Sequence, residues 1–200
     1  MQTVIGITGG TGCGKTTALH ALEAMGFHII DCDALYHELL HTDREMLAAI
    51  EAVFPGVLLE GKLQRKVLGQ RVFSDPAALD RLNRTVWPFV CRAVEQRLRE
   101  HFPRPCAIDA IGLLESGLGA LCTRTVAVTA PEEARIARLM AREGISREYA
   151  RLRIAAQATN EDFAARCDLT ICNEFPTQQA FQTHCNTLFA AILKEEINHE

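Results

Sequence analysis

Four glycines, one lysine and two adjacent threonine hydroxyls fall within nine residues, Gly9-Gly10-Thr11-Gly12-Cys13-Gly14-Lys15-Thr16-Thr17, and fit the pattern G-x-x-x-x-G-K-[ST]. A polyphosphate carries several negative charges, and successive backbone N–H groups can ring it only where side chains leave room; that accounts for Gly9, Gly10, Gly12 and Gly14. In such a loop the backbone from Gly12 through Cys13 and Gly14 to Thr17 faces the phosphates of ATP, Lys15 reaches the β- and γ-phosphates, and the Thr16 hydroxyl binds Mg²⁺. The flanks agree. Val4-Ile5-Gly6-Ile7 reads as a buried strand, and Ala18 to Met25 as a helix that stops at Gly26, whose positive end adds to the phosphate site. A purely structural glycine turn would require neither the Lys-Thr pair nor the strand–helix frame.

Phe27-His28-Ile29-Ile30 forms a second short strand that ends at Asp31-Cys32-Asp33. Functional side chains collect at the carboxyl ends of strands in open α/β sheets. One acid of this pair caps the following helix, Ala34 to Leu40, and the other orients or deprotonates an attacking hydroxyl. We assign the chemical role to Asp33 and place Asp31 on the acceptor side. A third strand, Cys106 to Ile111, carries Asp109 in an apolar run. A buried carboxylate is costly unless paired or near a cation, so Asp109 is a candidate for Mg²⁺, directly or through water; a satisfied structural acid is the alternative.

Pro131 opens a helix with Glu132 and Glu133 in its first turn and Arg135, Arg138 and Arg142 along its length. After the break at Gly144-Ile145-Ser146, a second helix carries Arg151 and Arg153. Such an arginine-rich helix pair reads as a lid that spreads positive charge over a transferring phosphoryl group and excludes water, with the remaining arginines solvated. Arg138 is the first choice for this role and Arg142 the second. Asn173 closes a fifth strand, Asp168 to Cys172, where its amide contacts adenine or forms the turn before Glu174-Phe175-Pro176.

Between the second and third strands, residues 44–102 read as helical almost throughout, with a turn at Pro55-Gly56, a cap at Ser74 or Asp75 before Pro76, and a helix from Ala77 toward Arg99 interrupted at Trp87-Pro88. This is too long for a plain crossover and reads as a substrate lobe. Arg65, following a glycine turn at a helix start, is its best contact for an acidic acceptor; Arg71, Arg81 and Arg84 read mainly as solvated. A fourth strand spans Thr125 to Thr129, and a closing helix runs from Gln178 to about Ile197. The expectation is a single α/β domain of the P-loop nucleoside-triphosphate-hydrolase type: three layers around a five-stranded, mostly parallel sheet. Its core is 1–33, 104–130 and 166–200, its substrate lobe 34–103 and its lid 131–165.

At 200 residues and 48% hydrophobic, the chain can bury a sizeable core, and its net charge of −4 argues against non-specific nucleic-acid binding. No apolar run approaches the ~20 residues of a membrane span, and the N-terminus lacks a signal-peptide layout. The eight cysteines form no Cys-x-x-Cys pair, and Cys13, Cys32, Cys106 and Cys172 read as small buried apolar residues, which fits a cytoplasmic protein.

Taken together, these residues resemble the dephospho-coenzyme A kinase family over nearly the whole chain. The likeness rests on Ile7 to Thr17, Asp31-Cys32-Asp33, Gly61 to Arg65, Arg71-Val72-Phe73, Leu82-Asn83, Leu113-Leu114-Glu115, Arg138 to Arg142, Gln157, and Cys167 to Asn173. The resemblance implies a core, a coenzyme A lobe and a lid, and ATP-dependent phosphorylation of the ribose 3′-hydroxyl of dephospho-coenzyme A, the last step of coenzyme A synthesis. It puts Asp33 on the family's proposed catalytic acid and Arg138 on its lid arginine. The chain departs from the family's usual residues at His37, at Trp87 before Pro88, and at Ile111-Gly112, all on the acceptor side, which makes His37 and Trp87 candidate acceptor contacts. The expected partners are ATP and dephospho-coenzyme A, with no nucleic acid or membrane, for a monomer or at most a weak oligomer. The alternatives are a kinase for another small acceptor and a nucleotide-binding regulator; a mere binder would need neither Asp33 nor Arg138.

Overall fold

The computed structural model describes residues 2–72 and 75–197; Phe73 and Ser74, part of the expected cap and family pattern, lie outside the described residues. The chain alternates strands and helices: β1 (Val4–Thr8), α1 (Lys15–Ala24), β2 (His28–Asp31), α2 (Cys32–Thr42), α3 (Arg44–Val53), β3 (Leu58–Leu59), β4 (Lys62–Leu63), α4 (Arg65–Val72) and α5 (Pro76–His101). It continues through β5 (Cys106–Asp109), a 3₁₀ turn (Leu118–Leu121), β6 (Arg124–Thr129), α6 (Glu132–Glu143), α7 (Arg147–Ala155), α8 (Asn160–Arg166), β7 (Leu169–Cys172) and α9 (Gln178–Ile197).

Five strands form one sheet in the order β2-β5-β1-β6-β7, and every neighbouring pair is parallel. β1 lies at its centre and is buried along its whole length, as its β-branched run requires when helices cover both faces. On one face α1 and α9 close over Ile5, Ile7 and Val126 with Leu22, Phe181 and Phe189. On the other, α2 and α5 cover Val4, Ile30 and Ile108 with Leu35, Val90 and Val94. The sheet therefore sits between two helical layers, the three-layer α/β arrangement.

Two smaller cores stand apart. Met46, Ile50, Phe54, Leu68, Leu82 and Val86 pack α3, α4 and the first half of α5 together. Ile136, Leu139, Ala150 and Ile154 join α6 to α7. Among the described residues no helix is long and apolar enough to cross a membrane, and all eight cysteines are free thiols; Cys13, Cys32 and Cys106 are buried as expected, whereas Cys172, at the end of the edge strand β7, is exposed.

Three local expectations are corrected. The segment after Pro55-Gly56 holds the antiparallel hairpin β3–β4, whose turn residues Glu60 and Gly61 both have positive φ, 51° and 75°. α5 runs unbroken through Trp87-Pro88: Pro88 is on the exposed flank, where the carbonyl that loses its partner meets water, while Leu82, Val86, Val90 and Val94 stay buried on either side. Finally, α8 follows α7 directly, started by a capping box between Thr159 and Asp162.

At the end of β2 remote from Asp31, His28 stacks on His101, with ring centroids 3.6 Å apart and planes 9° from parallel. Burial lowers the His28 pKa, helped by the charges of His101, Arg104 and Arg97. The unfolded chain therefore takes up this proton first, so the contribution to stability is full above the ordinary histidine value and is lost as pH falls through the folded one. The melting temperature should drop more steeply between about pH 7.5 and 5.5 in the wild type than in His28→Phe, which keeps a ring and removes the titration; equal slopes would refute the assignment.

Candidate active site

The backbone between β1 and α1 takes a path open to few residues other than glycine. Gly9, Gly12 and Gly14 have φ of 140°, 76° and 108°, and Gly14 in the left-handed region opens α1. A Cβ on Gly9 would overlap the Val128 carbonyl, one on Gly14 the Asn173 amide, and one on Gly12 would come 2.9 Å from the Arg135 carbonyl. Cys13 folds its side chain inward against the core under α1, where burial raises its thiol pKa above the ordinary value. Its backbone, not its sulfur, faces the loop. Thr17 is buried in the first turn of α1, whereas Thr16 is exposed there.

The sheet register sets the acids. Asp31 on β2 pairs with Asp109 on β5, and Asp109 pairs with Ile7 on β1, so the two carboxylates stand side by side at the edge from which the loop departs. Asp31 is the helix cap: its Oδ1 accepts from the Asp33 and Ala34 amides, each at 2.9 Å. Asp33, one residue into α2, is exposed at the positive end of that helix. Lys15 Nζ lies 3.6 Å from Asp109 Oδ1, within ion-pair range, yet that oxygen is buried without a hydrogen-bond partner. Burial raises the Asp109 pKa, opposed by Lys15 and reinforced by Asp31 and Asp33. An orphaned carboxylate oxygen at the strand edge from which the loop departs suits a hard divalent cation such as Mg²⁺. The described residues contain no group of three His, Cys, Asp or Glu able to hold a metal by themselves, so phosphate and water oxygens would complete the shell.

Two arginines of α6 reach the loop, and they are not the pair expected. Arg138 donates from Nη1 to the Gly12 and Cys13 carbonyls at 3.1 and 3.3 Å and from Nη2 to the Asn173 carbonyl at 3.3 Å. Arg135, missed in the sequence, is 3% exposed and donates from Nε to the Thr11 carbonyl at 2.9 Å. Arg142 is not brought to the loop; it is exposed and paired with Glu143. The three arginines sit three and four positions apart on one stripe of α6, but only the N-terminal half of that helix passes the loop. Gln157, just beyond α7, also contacts it: the Thr11 amide donates to Gln157 Oε1 at 2.7 Å. Asn173 is 5% exposed and donates from Nδ2 to the Cys13 carbonyl at 2.9 Å, leaving its Oδ1 buried and unpartnered.

Beside these groups opens a cleft of about 750 Å³ between α5, the turn after β5 and the lid. Asp33, Trp87, Gly112, Glu115 and Gln157 line it. The Trp87 indole lies against Gly112, where a Cβ would be 3.9 Å from the ring, so two positions that depart from the family adjoin in space. Arg65 and His37 do not line this cleft. Arg65 is exposed and within 3.2 Å of His41 Nε2, and His37 is exposed beside Tyr36.

A parallel sheet between two helical layers, with a glycine loop of the G-x-x-x-x-G-K-[ST] pattern after its central strand and acids at the neighbouring strand ends, defines a P-loop kinase fold. Residues 3–179 match the family model described as dephospho-CoA kinase, and the chain belongs to that family. It is 35% identical over 175 residues to the dephospho-CoA kinase of Dehalococcoides mccartyi, covering 85% of this chain and 88% of that one. Among solved structures, TT1252 from Thermus thermophilus superimposes with a TM-score of 0.76 at 31% identity, over 96% of this chain and 97% of that one. Dephospho-CoA kinase from Campylobacter jejuni shares the fold, with a TM-score of 0.69 at 23% identity, covering 98% of this chain and all (100%) of that one.

The loop contacts separate two glycine substitutions. Gly9→Ala meets backbone at a left-handed φ and should lower unfolding free energy by more than about 2 kcal/mol in denaturant titration. Gly10→Ala first meets the ends of the Arg135 and Gln157 side chains, so the fold should hold within about 1 kcal/mol while kcat falls. Equal losses of stability would overturn this distinction.

Proposed function

We propose that the chain transfers the γ-phosphoryl group of ATP to the ribose 3′-hydroxyl of dephospho-coenzyme A, completing coenzyme A synthesis. The observation that carries this reading is that a glycine loop, whose Lys15 faces Asp109, is joined through the Thr11–Gln157 hydrogen bond to a cleft that Gln157 and Asp33 both line. Lys15 and the loop amides hold the β- and γ-phosphates, and the N-terminus of α1 adds its dipole. Asp33 orients the acceptor hydroxyl and takes its proton; Asp31 is occupied in capping and fixes the start of α2. Thr16 and Asp109 would hold Mg²⁺, which neutralises charge on the phosphates when bound. Arg138 acts by exchanging its bonds to the Gly12 and Cys13 carbonyls for phosphate oxygens as charge develops. Asn173 has an unpartnered amide oxygen to offer the adenine amino group.

In this reading residues 34–103 form the acceptor lobe and residues 131–165 the lid, which shuts out water. Trp87 supplies an apolar wall for the acceptor, and Arg65 and His37 act at the outer edge of the lobe on acidic groups beyond the cleft. The enzyme works as a cytoplasmic monomer on small molecules.

The test is coenzyme A formation by purified protein given ATP and dephospho-coenzyme A. Asp33→Ala should lower kcat by about 10²–10⁴, and Arg138→Ala by about 10²–10³, with each variant still folded. A fully active Asp33→Ala would move the acid role elsewhere. ATP binding without turnover would overturn the acceptor assignment and turn attention to Trp87 and Gly112. Chelating Mg²⁺ should abolish the rate, and Asp109→Asn should raise the half-saturating Mg²⁺ concentration by about tenfold; an unchanged requirement removes Asp109 from the metal site.

A further inference from the structure

The cation that the lid presses closest to the loop carries no counter-ion. Arg135 is 3% exposed, forms no ion pair among the described residues, and is held instead by two neutral acceptors, the Thr11 carbonyl and the Gln157 side chain. A buried guanidinium without a carboxylate costs free energy that an arriving anion can recover. Gln157 Oε1 receives both the Thr11 amide, at 2.7 Å, and Arg135 Nη2, at 3.3 Å; since both partners donate, the carboxamide atom between them is the oxygen. Gly10 is the residue that lets this triad close, because a Cβ there would run into the Arg135 guanidinium and stand 3.2 Å from Gln157 Oε1. Gln157 also lines the acceptor cleft together with Asp33. It stands where phosphate loop, lid and acceptor meet.

From this arrangement we propose that Gln157 is a positioning residue for phosphoryl transfer. Its side-chain oxygen accepts from the Thr11 amide and from Arg135 Nη2 and so fixes the guanidinium against the loop; the phosphoryl group in transit meets an arginine already in place, whose Nη1 takes part in neither of those bonds. The inference rests on the kinase reading above. A donor aimed in advance acts mainly on the transition state, because it need not be reorganised at the moment of reaction. Loss of Gln157 therefore acts on kcat through Arg135, while ground-state nucleotide binding stays with the loop, Lys15 and α1.

The experiment compares the full-length wild type with Gln157→Ala, Gln157→Met, Arg135→Ala and the Arg135→Ala/Gln157→Ala double variant. Initial rates with each substrate varied, ATP dissociation constants by calorimetry, and melting temperatures are measured on all five proteins. Both Gln157 variants should lose at least about tenfold in kcat while the ATP dissociation constant and the acceptor KM stay within about threefold. Gln157→Met keeps the length of the side chain without its acceptor, so it guards against a loss that comes from packing alone. The double variant should be no slower than Arg135→Ala, since residues acting as a unit are non-additive. A wild-type kcat in Gln157→Ala would overturn the proposal. So would a parallel fall of ATP affinity and melting temperature, or fully multiplicative losses in the double variant. A wild type that binds ATP but phosphorylates no acceptor would overturn the kinase reading and this inference with it; an active wild type with unperturbed Gln157 variants overturns this inference alone.

Discussion

The site depends on one constraint, the path of the backbone between β1 and α1. A polyphosphate is held by main-chain N–H groups, and these converge only if the chain turns through left-handed conformations with no side chain in the way. Here the path is fixed from outside as well as from within. Gly9 runs against the Val128 carbonyl at the end of β6, Gly14 against Asn173 beyond β7, and Gly12 against the backbone of α6. The inward-turned Cys13 side chain pins the middle of the loop to the core. Strands and helices distant in sequence thus converge on a turn of a few residues, and a shift in any of them would be felt at the phosphates.

The acids depend on a second rigid feature. β5 lies between β1 and β2, so Asp109 is placed by hydrogen-bonded register beside both Asp31 and the strand that feeds the loop. Their separation is set by the strand spacing of a sheet, about 4.8 Å, rather than by side-chain rotamers. Asp31 gives up its chemistry to cap α2, and in doing so orients the turn of helix that carries Asp33. Two carboxylates that read alike in the sequence acquire different environments from two residues of spacing.

Features governed by local rules were legible in the sequence. The loop glycines, the strand before them, the helix after them and the division of labour between a capping and a free aspartate follow from spacing and from backbone preferences. The capping-box pattern from Thr159 to Asp162 was also present, although no helix was placed there. The hairpin at Leu58–Leu63 was hidden because strands of two residues carry no measurable period. α5 persists through Pro88 because tertiary packing of its apolar stripe outweighs one lost hydrogen bond on a wet flank. The sequence put Arg138 and then Arg142 forward and passed over Arg135, because their spacing gives one stripe and only the packing angle of α6 decides which of them touches the loop. Gln157 carried no local signal of its contact with Thr11, which lies 146 residues away.

The seam between lid and loop is read almost entirely through main-chain atoms. Arg135 binds the Thr11 carbonyl, Arg138 the carbonyls of Gly12, Cys13 and Asn173, and Gln157 the Thr11 amide. Every residue type presents the same carbonyl, and all but proline the same amide. The identity of the Thr11 side chain is therefore free to drift over evolutionary time without loosening this seam, as long as the glycines keep the curve and Cys13 stays packed in the core. The four-residue apolar core that joins α6 to α7 is likewise separate from the cores around the sheet. Selection can thus retune the charges on the exposed faces of α6 and α7 while the side of α6 that meets the loop is held constant.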